Sequence, residues 1–307
     1  MKILIVCSIN SGKIAPFIAE QADFLKRAGC RVDFFTVEGK GIKGYLQNRK
    51  KLVGKIADFQ PDIVHAHYGL SGLLANMQRR IPVVTTYHGS DINNAKILRF
   101  SKIAIFLSNF NIFVSEKNIL TAKVKKNYAL LPCGVDTEIF FPLKNKNEIR
   151  RKLNLEAEKQ YVLFSSSFDN AVKNYDLAQK SVGKLKNTTL LELKGRTRTE
   201  VALLLNAVDC ALLTSFTEGS PQFIKEAMAC NCPIVSVDAG DVRSNLERVE
   251  NCYVTDTYNS EEITLCLQKV FAANKRTNGQ EKIIELCLDN KLVVNNLIEI
   301  YENILNE

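Results

Sequence analysis

The feature of this sequence that most constrains its fold is a regular alternation of short apolar segments with helical segments. Residues 2–7 are continuous in Ile, Leu and Val, the pattern of a strand buried on both faces. The helix predicted after them has Pro16 near its first position and Gly29 just past its end, where both residues are favoured. Further strands are predicted at 31–36, 62–66, 82–87, 111–114 and 128–131. Because repeated strand–helix units build parallel sheets, we predict a sheet with helices on both faces.

The alternation stops at residues 132–142 and then restarts. This segment holds two prolines and a glycine and has no helical period, which is typical of an interdomain crossover. Strands are predicted beyond it at 161–165, 189–194, 209–213, 233–237 and 252–254, and residues 282–305 are strongly helical. We therefore predict an α/β protein of two doubly wound, Rossmann-like domains, 1–141 and 142–307, facing a central cleft. The last helix, about residues 290–307, is expected to pack back toward the first domain. Ligands should lie where strands end.

The composition is that of a globular protein without a secretion signal or membrane span. The longest apolar run near the N-terminus, residues 3–7, is far too short for either, so we expect a cytoplasmic protein. The nine cysteines are scattered, and even Cys230 and Cys232 match neither a zinc nor a redox spacing. We expect all nine to be small buried hydrophobic residues.

Positive charge is confined to the first half of the chain. Residues 1–141 hold 20 basic and 10 acidic side chains, a net charge of +10, whereas residues 142–307 hold 21 and 23, a net charge of −2. A basic helix is predicted near residues 40–55, with Tyr45, Leu46 and Leu52 interleaved among its charges. Its basic residues are Lys40, Lys43, Arg49, Lys50, Lys51 and Lys55. A solvated helix would show the same pattern, but the charge asymmetry favours peripheral attachment to the anionic inner face of a membrane.

The most informative segment for chemistry is 213–229. Ser220 is placed to cap a helix that starts at Pro221, while Gln222 and Glu226 lie four residues apart on one row of that helix. Exposed amides at a helix start attract phosphate. Glu218, in the loop before the helix, and Glu226 would repel a phosphate. Their presence is explained if each carboxylate binds hydroxyl groups instead. The simpler alternative is that both acids only complement the helix dipole.

This segment resembles the paired-glutamate signature of the family-4 retaining glycosyltransferases, which have the GT-B fold. Segments 61–69, 87–91, 134–136 and 228–241 stand in the order that the family shows, so the resemblance covers nearly the whole chain. It implies transfer of a sugar from a nucleotide-sugar donor to a hydroxyl of a glycan or lipid-linked acceptor, with retention at the anomeric carbon. Bacterial cell-surface polysaccharide biosynthesis is the implied setting, and the family uses no bound metal or other cofactor.

The resemblance also implies roles for single residues. Glu226 maps to the glutamate that holds the donor ribose, Glu218 to the one that contacts the transferred sugar, and Lys173 to a lysine that pairs with the diphosphate. His88 follows a predicted strand and maps to the histidine that contacts the donor sugar near the reacting carbon. We therefore predict His88 and Glu218 as catalytic residues. The predicted donor-binding set is Lys173, Gly219, Ser220, Gln222, Phe223, Glu226, Arg196, Ser11 and Gly12, and the acceptor-side set is Asn10, His67, Tyr68 and Asp91.

Two motifs of the family are reduced in this sequence. Its usual Gly-Arg pair before the lysine is replaced by Ser165-Ser-Ser-Phe168, so the phosphate-binding arginine is missing. The phosphate charge must then be neutralised by Lys173 and the helix amides, or by a substitute such as Arg196 or Arg198. The glycine-rich loop after the first strand is shortened to Ser11-Gly12-Lys13.

Other functions remain open at this stage. His65, His67 and His88 could form a three-histidine metal site, but no carboxylate is spaced to help, and we expect His65 to be structural. A GT-B sugar-nucleotide epimerase and a non-catalytic nucleotide-sugar-binding homologue are the alternatives to a transferase. A nicotinamide-dependent enzyme is disfavoured because no Gly-x-Gly-x-x-Gly follows a strand. We expect no nucleic-acid partner.

Overall fold

The computed structural model describes residues 1–306, which divide into two compact units. The first unit comprises Met1–Gly134 together with the C-terminal segment that begins at Asn290, and the second comprises Val135–Asp289. The change of unit falls at Gly134, before the predicted boundary at residue 141. It lies earlier because Val135 and Phe140 are already buried in the core of the second unit. Val135 also forms an isolated parallel bridge with Asp289.

The first unit is built on a six-stranded parallel sheet. Its strands are β1 (Lys2–Ser8), β2 (Arg31–Val37), β3 (Ile63–His67), β4 (Val83–Tyr87), β5 (Phe110–Phe113) and β6 (Tyr128–Leu130). Its helices are α1 (Pro16–Arg27), α2 (Gly41–Leu46), α3 (Arg49–Phe59), α4 (Gly69–Asn76), α5 (Ser90–Asn93), α6 (Ala95–Leu107) and α7 (Glu116–Ala122). The strand order is β2-β1-β3-β4-β5-β6, and β1 is the buried apolar strand that its sequence predicts.

The second unit contains a five-stranded parallel sheet. Its strands are β7 (Gln160–Phe164), β8 (Thr188–Leu191), β9 (Cys210–Leu213), β10 (Ile234–Val237) and β11 (Cys252–Thr255), in the order β11-β10-β9-β7-β8. Its helices are α8 (Lys146–Lys152), α9 (Tyr175–Val182), α10 (Arg198–Ala207), α11 (Gln222–Ala229), α12 (Val242–Asn245), α13 (Ser260–Ala273) and α14 (Gly279–Glu285), and one 3₁₀ turn spans Ala171–Lys173. The predicted α/β class is thus confirmed.

The C-terminal helix, α15 (Asn290–Asn306), follows the second unit in the chain but packs in the core of the first. Val294, Leu297 and Tyr301 are buried among residues of α1 and one face of the sheet. On the other face, a second cluster joins β1, β3 and α4. Both faces of the first sheet are therefore covered, as its continuous apolar strands require.

In each sheet the strand order reverses at one place, and this decides where loops can build a site. The direction in which successive strands are added to the sheet reverses between β1 and β3 in the first sheet and between β7 and β9 in the second. Ligands of open α/β sheets bind at such switch points, outside the carboxyl ends of the strands. The loops after β1 and β3, and those after β7 and β9, are accordingly the positions where a ligand site is expected.

The basic segment near residue 50 and the cysteines differ from expectation. Two helices, α2 and α3, replace the single predicted basic helix, and Tyr45 and Leu52 are buried in the core rather than interleaved on the surface. Six cysteines are buried and two are intermediate, but Cys287 is exposed, so the expectation of nine buried cysteines was wrong there. Among residues 1–306, no helix has the length and apolar character that crossing a bilayer requires.

Candidate functional site

The loop after β9 and the start of α11 hold the paired glutamates. The helix begins at Gln222, with Pro221 as the residue before it, one position later than predicted. Ser220 does not cap the helix. Its hydroxyl instead accepts a hydrogen bond of 3.0 Å from the Nζ of Lys225. Because Lys225 is fully buried, its ammonium needs a polar partner, and this need overrides the capping preference of serine.

Glu218 and Lys173 are brought together as an ion pair. Lys173 Nζ lies 2.6 Å from Glu218 Oε1, and the two side chains are 21% and 13% exposed. The 3₁₀ turn that carries Lys173 is fixed by the loop after β9, because Thr214 Oγ1 donates to the carbonyls of Lys173 and Asn174 at 2.9 and 3.0 Å. The amide of Phe216 also donates to the carbonyl of Val172. The turn after β7 and the loop after β9 thus form one structure at the switch point.

Glu226 is paired with an arginine. Arg198 Nη1 lies 2.7 Å from Glu226 Oε1, with the arginine side chain 26% exposed and the glutamate 5% exposed. The guanidinium also stacks over the ring of Phe140 at 4.6 Å. Arg198 is the first residue of α10, whose start is fixed by a capping box between Thr197 and Glu200.

Of the two arginines near the start of α10, the structure brings Arg198 to a predicted donor residue. Arg196 lies 3.7 Å from Glu200 in a half-exposed ion pair. The difference arises because Thr197 is the N-cap, which leaves Arg196 outside the helix and turns Arg198 inward.

A half-buried carboxyl lies beside Ser220, in the loop that carries Glu218. Asp241 is half-buried, and its partial removal from water raises the pKa of its carboxyl, while the charge of Lys225 and a hydrogen bond with Ser220 oppose the rise. Gly240 has a φ of +64°, and a Cβ there would lie 2.4 Å from the carbonyl oxygen of Gly219. Only glycine allows this approach, so the segment after β10 supports Gly219 directly. Sequence reasoning missed Lys225, whose one signal is a charged residue within the apolar face of α11.

Two predicted donor residues on the first turn of α11 have different surroundings. The side chain of Phe223 is buried in the apolar core of the second unit, together with those of Ile224 and Met228. Gln222 is half-buried. The two residues differ because neighbouring positions on a helix lie about 100° apart around its axis, which turns the Phe223 ring toward the core.

In the first unit, the three histidines lie side by side. The rings of His65 and His67 are 4.4 Å apart, and those of His67 and His88 are 5.2 Å apart. His65 is bonded on both nitrogens, Nδ1 to the Tyr301 hydroxyl at 2.5 Å and Nε2 to the Thr86 hydroxyl at 2.7 Å. Burial lowers the pKa of His65 to about 3, so the ring is neutral at physiological pH. His65 is a structural residue that joins β3 to β4 and α15.

His67 supports His88 from below. Its Nδ1 lies 2.9 Å from His88 Nε2, and the ring is fully buried. Burial, followed by the neighbouring His65 and His88, holds the pKa of His67 well below its usual range. The acceptor-side role predicted for His67 does not fit a side chain with no exposed surface. His88 itself is half-buried, between the rings of Phe17 and Tyr68 at 4.8 and 4.6 Å.

Asp91 anchors the loop that carries His88. Its carboxylate accepts hydrogen bonds from the amides of Gly69, His88 and Gly89 at 2.9, 3.0 and 3.1 Å. Burial raises the pKa of Asp91 to about 6, and the backbone donors oppose that rise. Because the side chain is buried and occupied by amides, it is unsuited to the acceptor-side contact that we predicted. Tyr68, by contrast, is half-buried and adopts a φ of +72°.

The loop after β1 carries the remaining predicted residues. Asn10 is bonded in both directions to Gly39, its Nδ2 donating at 2.8 Å and its Oδ1 accepting at 2.9 Å. The Asn10 amide therefore joins the loops after β1 and β2. Ser11 and Gly12 are exposed, and Gly12 has a φ of +89°, so the short loop turns through this glycine.

Two family models match this chain. Residues 14–139 match Glycosyltransferase Family 4, and residues 173–272 match Glycosyl transferases group 1. A curated protein of Bacillus subtilis (strain 168), named as the teichuronic acid biosynthesis glycosyltransferase TuaC, is 27% identical over 221 residues. The match covers 62% of this chain and 56% of that protein, so the chain spans little more than half the length of this relative.

Solved structures of glycosyltransferases share the fold over the whole chain. Sucrose-phosphate synthase from Thermosynechococcus elongatus superposes with a TM-score of 0.85 at 17% identity, covering 100% of both chains. HepE from Anabaena, in complex with UDP-glucose, superposes with a TM-score of 0.79 at 16% identity, covering 99% of this chain and 100% of that one. At these identities the likeness is one of fold.

Proposed function

We propose that this chain, a family-4 glycosyltransferase of the GT-B fold, transfers a sugar from a nucleotide-sugar donor to a hydroxyl group of a glycan or lipid-linked acceptor. The proposed setting is bacterial cell-surface polysaccharide biosynthesis, and the proposed stereochemistry is retention at the anomeric carbon. The observation that carries the proposal is the pair of ion pairs at the second switch point, Lys173–Glu218 and Arg198–Glu226. Each joins a cation suited to a diphosphate with a carboxylate suited to sugar or ribose hydroxyls.

In the proposed donor complex, Glu226 accepts hydrogen bonds from the ribose hydroxyls and Glu218 from the transferred sugar. Lys173, with the amides of Gly219 and Ser220 in the loop that leads into α11, stabilises the diphosphate. A hydroxyl that bonds to Glu218 competes with Lys173 for the carboxylate, so the ammonium can turn toward phosphate oxygen. For the first unit we propose that His88 contacts the donor sugar.

Catalysis would then consist of positioning and of stabilising the departing diphosphate. We propose front-face attack through an oxocarbenium-like state, in which the departing phosphate oxygen takes the proton of the acceptor hydroxyl. This route needs no separate general base. Arg198 offsets the negative charge of Glu226 beside the diphosphate, which partly compensates for the arginine that Ser165–Phe168 lacks.

We further propose that the reaction uses no metal ion or other cofactor. Lys173 and the amides of Gly219 and Ser220 would stabilise the charge that a divalent ion stabilises in metal-dependent transferases. We also propose peripheral attachment to an anionic membrane, since a lipid-linked acceptor would be presented there.

The proposal is tested with a panel of nucleotide sugars. The correct donor should raise the melting temperature, because ligand binding stabilises the folded state by RT ln(1 + [L]/Kd). The same donor should release its nucleoside diphosphate, slowly by hydrolysis and faster with an acceptor. Tight donor binding without any turnover would instead identify a non-catalytic homologue, and conversion of the donor sugar to its epimer would identify an epimerase.

A further inference from the structure

Helices α6 and α7 of the first unit expose apolar side chains that their own packing does not need. Their inward residues, among them Leu98, Ile105 and Ile119, already pack in a shared cluster. On the outside, Ile103 is 46%, Phe106 86% and Leu120 74% exposed. A single exposed apolar residue is ordinary, but a group of them surrounded by charge marks an interaction site.

Basic side chains surround these apolar residues. On α6, Lys96, Arg99 and Lys102 precede Ile103 and Phe106 at helical spacing on the exposed face. Phe106 and Lys102 also line a cavity of about 380 Å³ with Lys123, Lys125 and Lys126, which follow α7. The set of nine is called the α6–α7 face, and consists of Lys96, Arg99, Lys102, Ile103, Phe106, Leu120, Lys123, Lys125 and Lys126.

The charge of this face is uncompensated. Between residues 95 and 130 there are seven basic residues and one acidic residue, Glu116. The six basic residues of the face make no salt bridge within residues 1–306. The α2–α3 segment differs, since Lys55 there is paired with Asp33 at 2.5 Å and Tyr45 and Leu52 are buried.

We propose that the α6–α7 face is the surface by which this protein lies on an anionic lipid bilayer. Phe106 and Leu120 enter the headgroup region, while the lysines around the cavity contact lipid phosphates. The inference rests on the peripheral attachment proposed above and gives it a surface other than the basic α2–α3 segment. A nucleic acid fits less well, because Ile103 and Leu120 offer bases no stacking partner.

The chain contains no tryptophan, which makes a specific reporter available. The Phe106→Trp variant is mixed with vesicles of phosphatidylcholine, with and without 30 mol% phosphatidylglycerol. The expected result is a blue shift of the tryptophan emission with the anionic vesicles only, reversed by salt. Inorganic phosphate or a duplex oligonucleotide should produce no shift, and a shift with either would overturn the bilayer assignment.

Flotation with the same vesicles tests which residues are responsible. Each basic residue near an anionic surface contributes about fivefold to the partition coefficient, so Lys102→Glu with Lys125→Glu should weaken binding at least about 25-fold. The matched control, Lys50→Glu with Lys51→Glu on α3, makes the same charge change and should weaken binding less than about threefold through the long-range field. Leu120→Ser should weaken binding, whereas Val53→Ser, at a 43% exposed position on α3, should not.

Equal losses for the two charge-reversed pairs, or no flotation of the wild type, would overturn the proposal. A dimer in solution that Phe106→Ser converts to a monomer would also overturn it, since the face would then bind a second copy of the chain. Nucleotide binding is measured on the same variants and should be unchanged, because the face lies outside the second unit. Vesicle binding can therefore fail while donor binding succeeds, or the reverse, which separates this inference from the proposed function.

Discussion

Replacing Arg198 by Ala is expected to weaken nucleotide binding through Glu226. The carboxylate of Glu226 is 5% exposed and lies 2.7 Å from the guanidinium, so the arginine fixes its orientation in a largely dry environment. Without the arginine the carboxylate gains freedom, and the ribose contact should lose about 1–2 kcal/mol, a five- to thirtyfold increase in Kd. Replacing Glu226 by Ala removes the contact itself and should cost about 1.5–3 kcal/mol.

The assay is isothermal titration calorimetry with the nucleoside diphosphate that stabilises the wild type most. Arg196→Ala is the matched control, since its ion pair with Glu200 is half exposed and 3.7 Å long, and it should change Kd less than about twofold. Arg198→Lys should give an intermediate loss, because lysine keeps the charge but not the planar contact with Phe140.

A double-mutant cycle distinguishes positioning from general damage. If Arg198 acts through Glu226, the double variant should lose no more affinity than Glu226→Ala alone, a coupling of about 1–2 kcal/mol. In steady-state kinetics, Arg198→Ala should raise the KM for the donor more than it lowers kcat. Additive losses, or a loss no larger than that of Arg196→Ala, would refute the reasoning.

Three further outcomes are expected. His88→Ala should lower turnover more than nucleotide affinity, because its proposed partner is the sugar; equal losses in kcat and Kd would indicate a structural role. Transferase activity should survive excess chelator, and its abolition with rescue by manganese would contradict the proposed metal independence. The buried neutral state of His65 should make the fold acid-sensitive: its folded pKa is about 3, below the unfolded value of 6.5, so its stabilisation is present above pH 6.5 and is lost as pH falls toward 3. Relative to His65→Gln, the wild type should therefore lose about 2 kcal/mol of unfolding free energy between pH 7 and pH 5, measured by urea denaturation at each pH.

The architecture could be predicted from sequence because it depends on periodicity. Continuous apolar runs such as Ile3–Cys7 are typical of strands buried on both faces, and the helical segments between them favour the parallel arrangement. The pairing of Lys173 with Glu218 was also within reach, since both residues follow strands that end at one switch point.

The errors in the site share one physical origin, the direction in which a side chain points. The sequence assigns His67 to the end of β3. It does not indicate that the ring is fully buried and hydrogen-bonded to His88. It places Asp91 after His88 without indicating that three backbone amides occupy its carboxylate. Residues that support a site and residues that touch a ligand lie equally close to the motif, and only packing separates them.

The arginine next to Glu226 shows the same limit more sharply. Arg196 and Arg198 differ by two positions, and which of them faces Glu226 depends on where α10 begins. Helix starts are among the least certain features of a sequence-based assignment, because fraying and capping shift them by a residue or two. A shift of that size exchanges the two arginines.

The return of α15 to the first unit has a consequence for the order of events at the ribosome. The segment Met1–Gly134 cannot complete its hydrophobic core until Val294, Leu297 and Tyr301 have been synthesised. Tyr301 and its hydrogen-bond partner His65 are separated by 236 positions in the sequence. The second unit is contiguous and can finish first, which reverses the usual N-terminal-first sequence of domain folding during translation. A nascent chain stopped before residue 290 would therefore expose the apolar surface of α1 that α15 covers. Chaperones and proteases would act on the chain in this incomplete state.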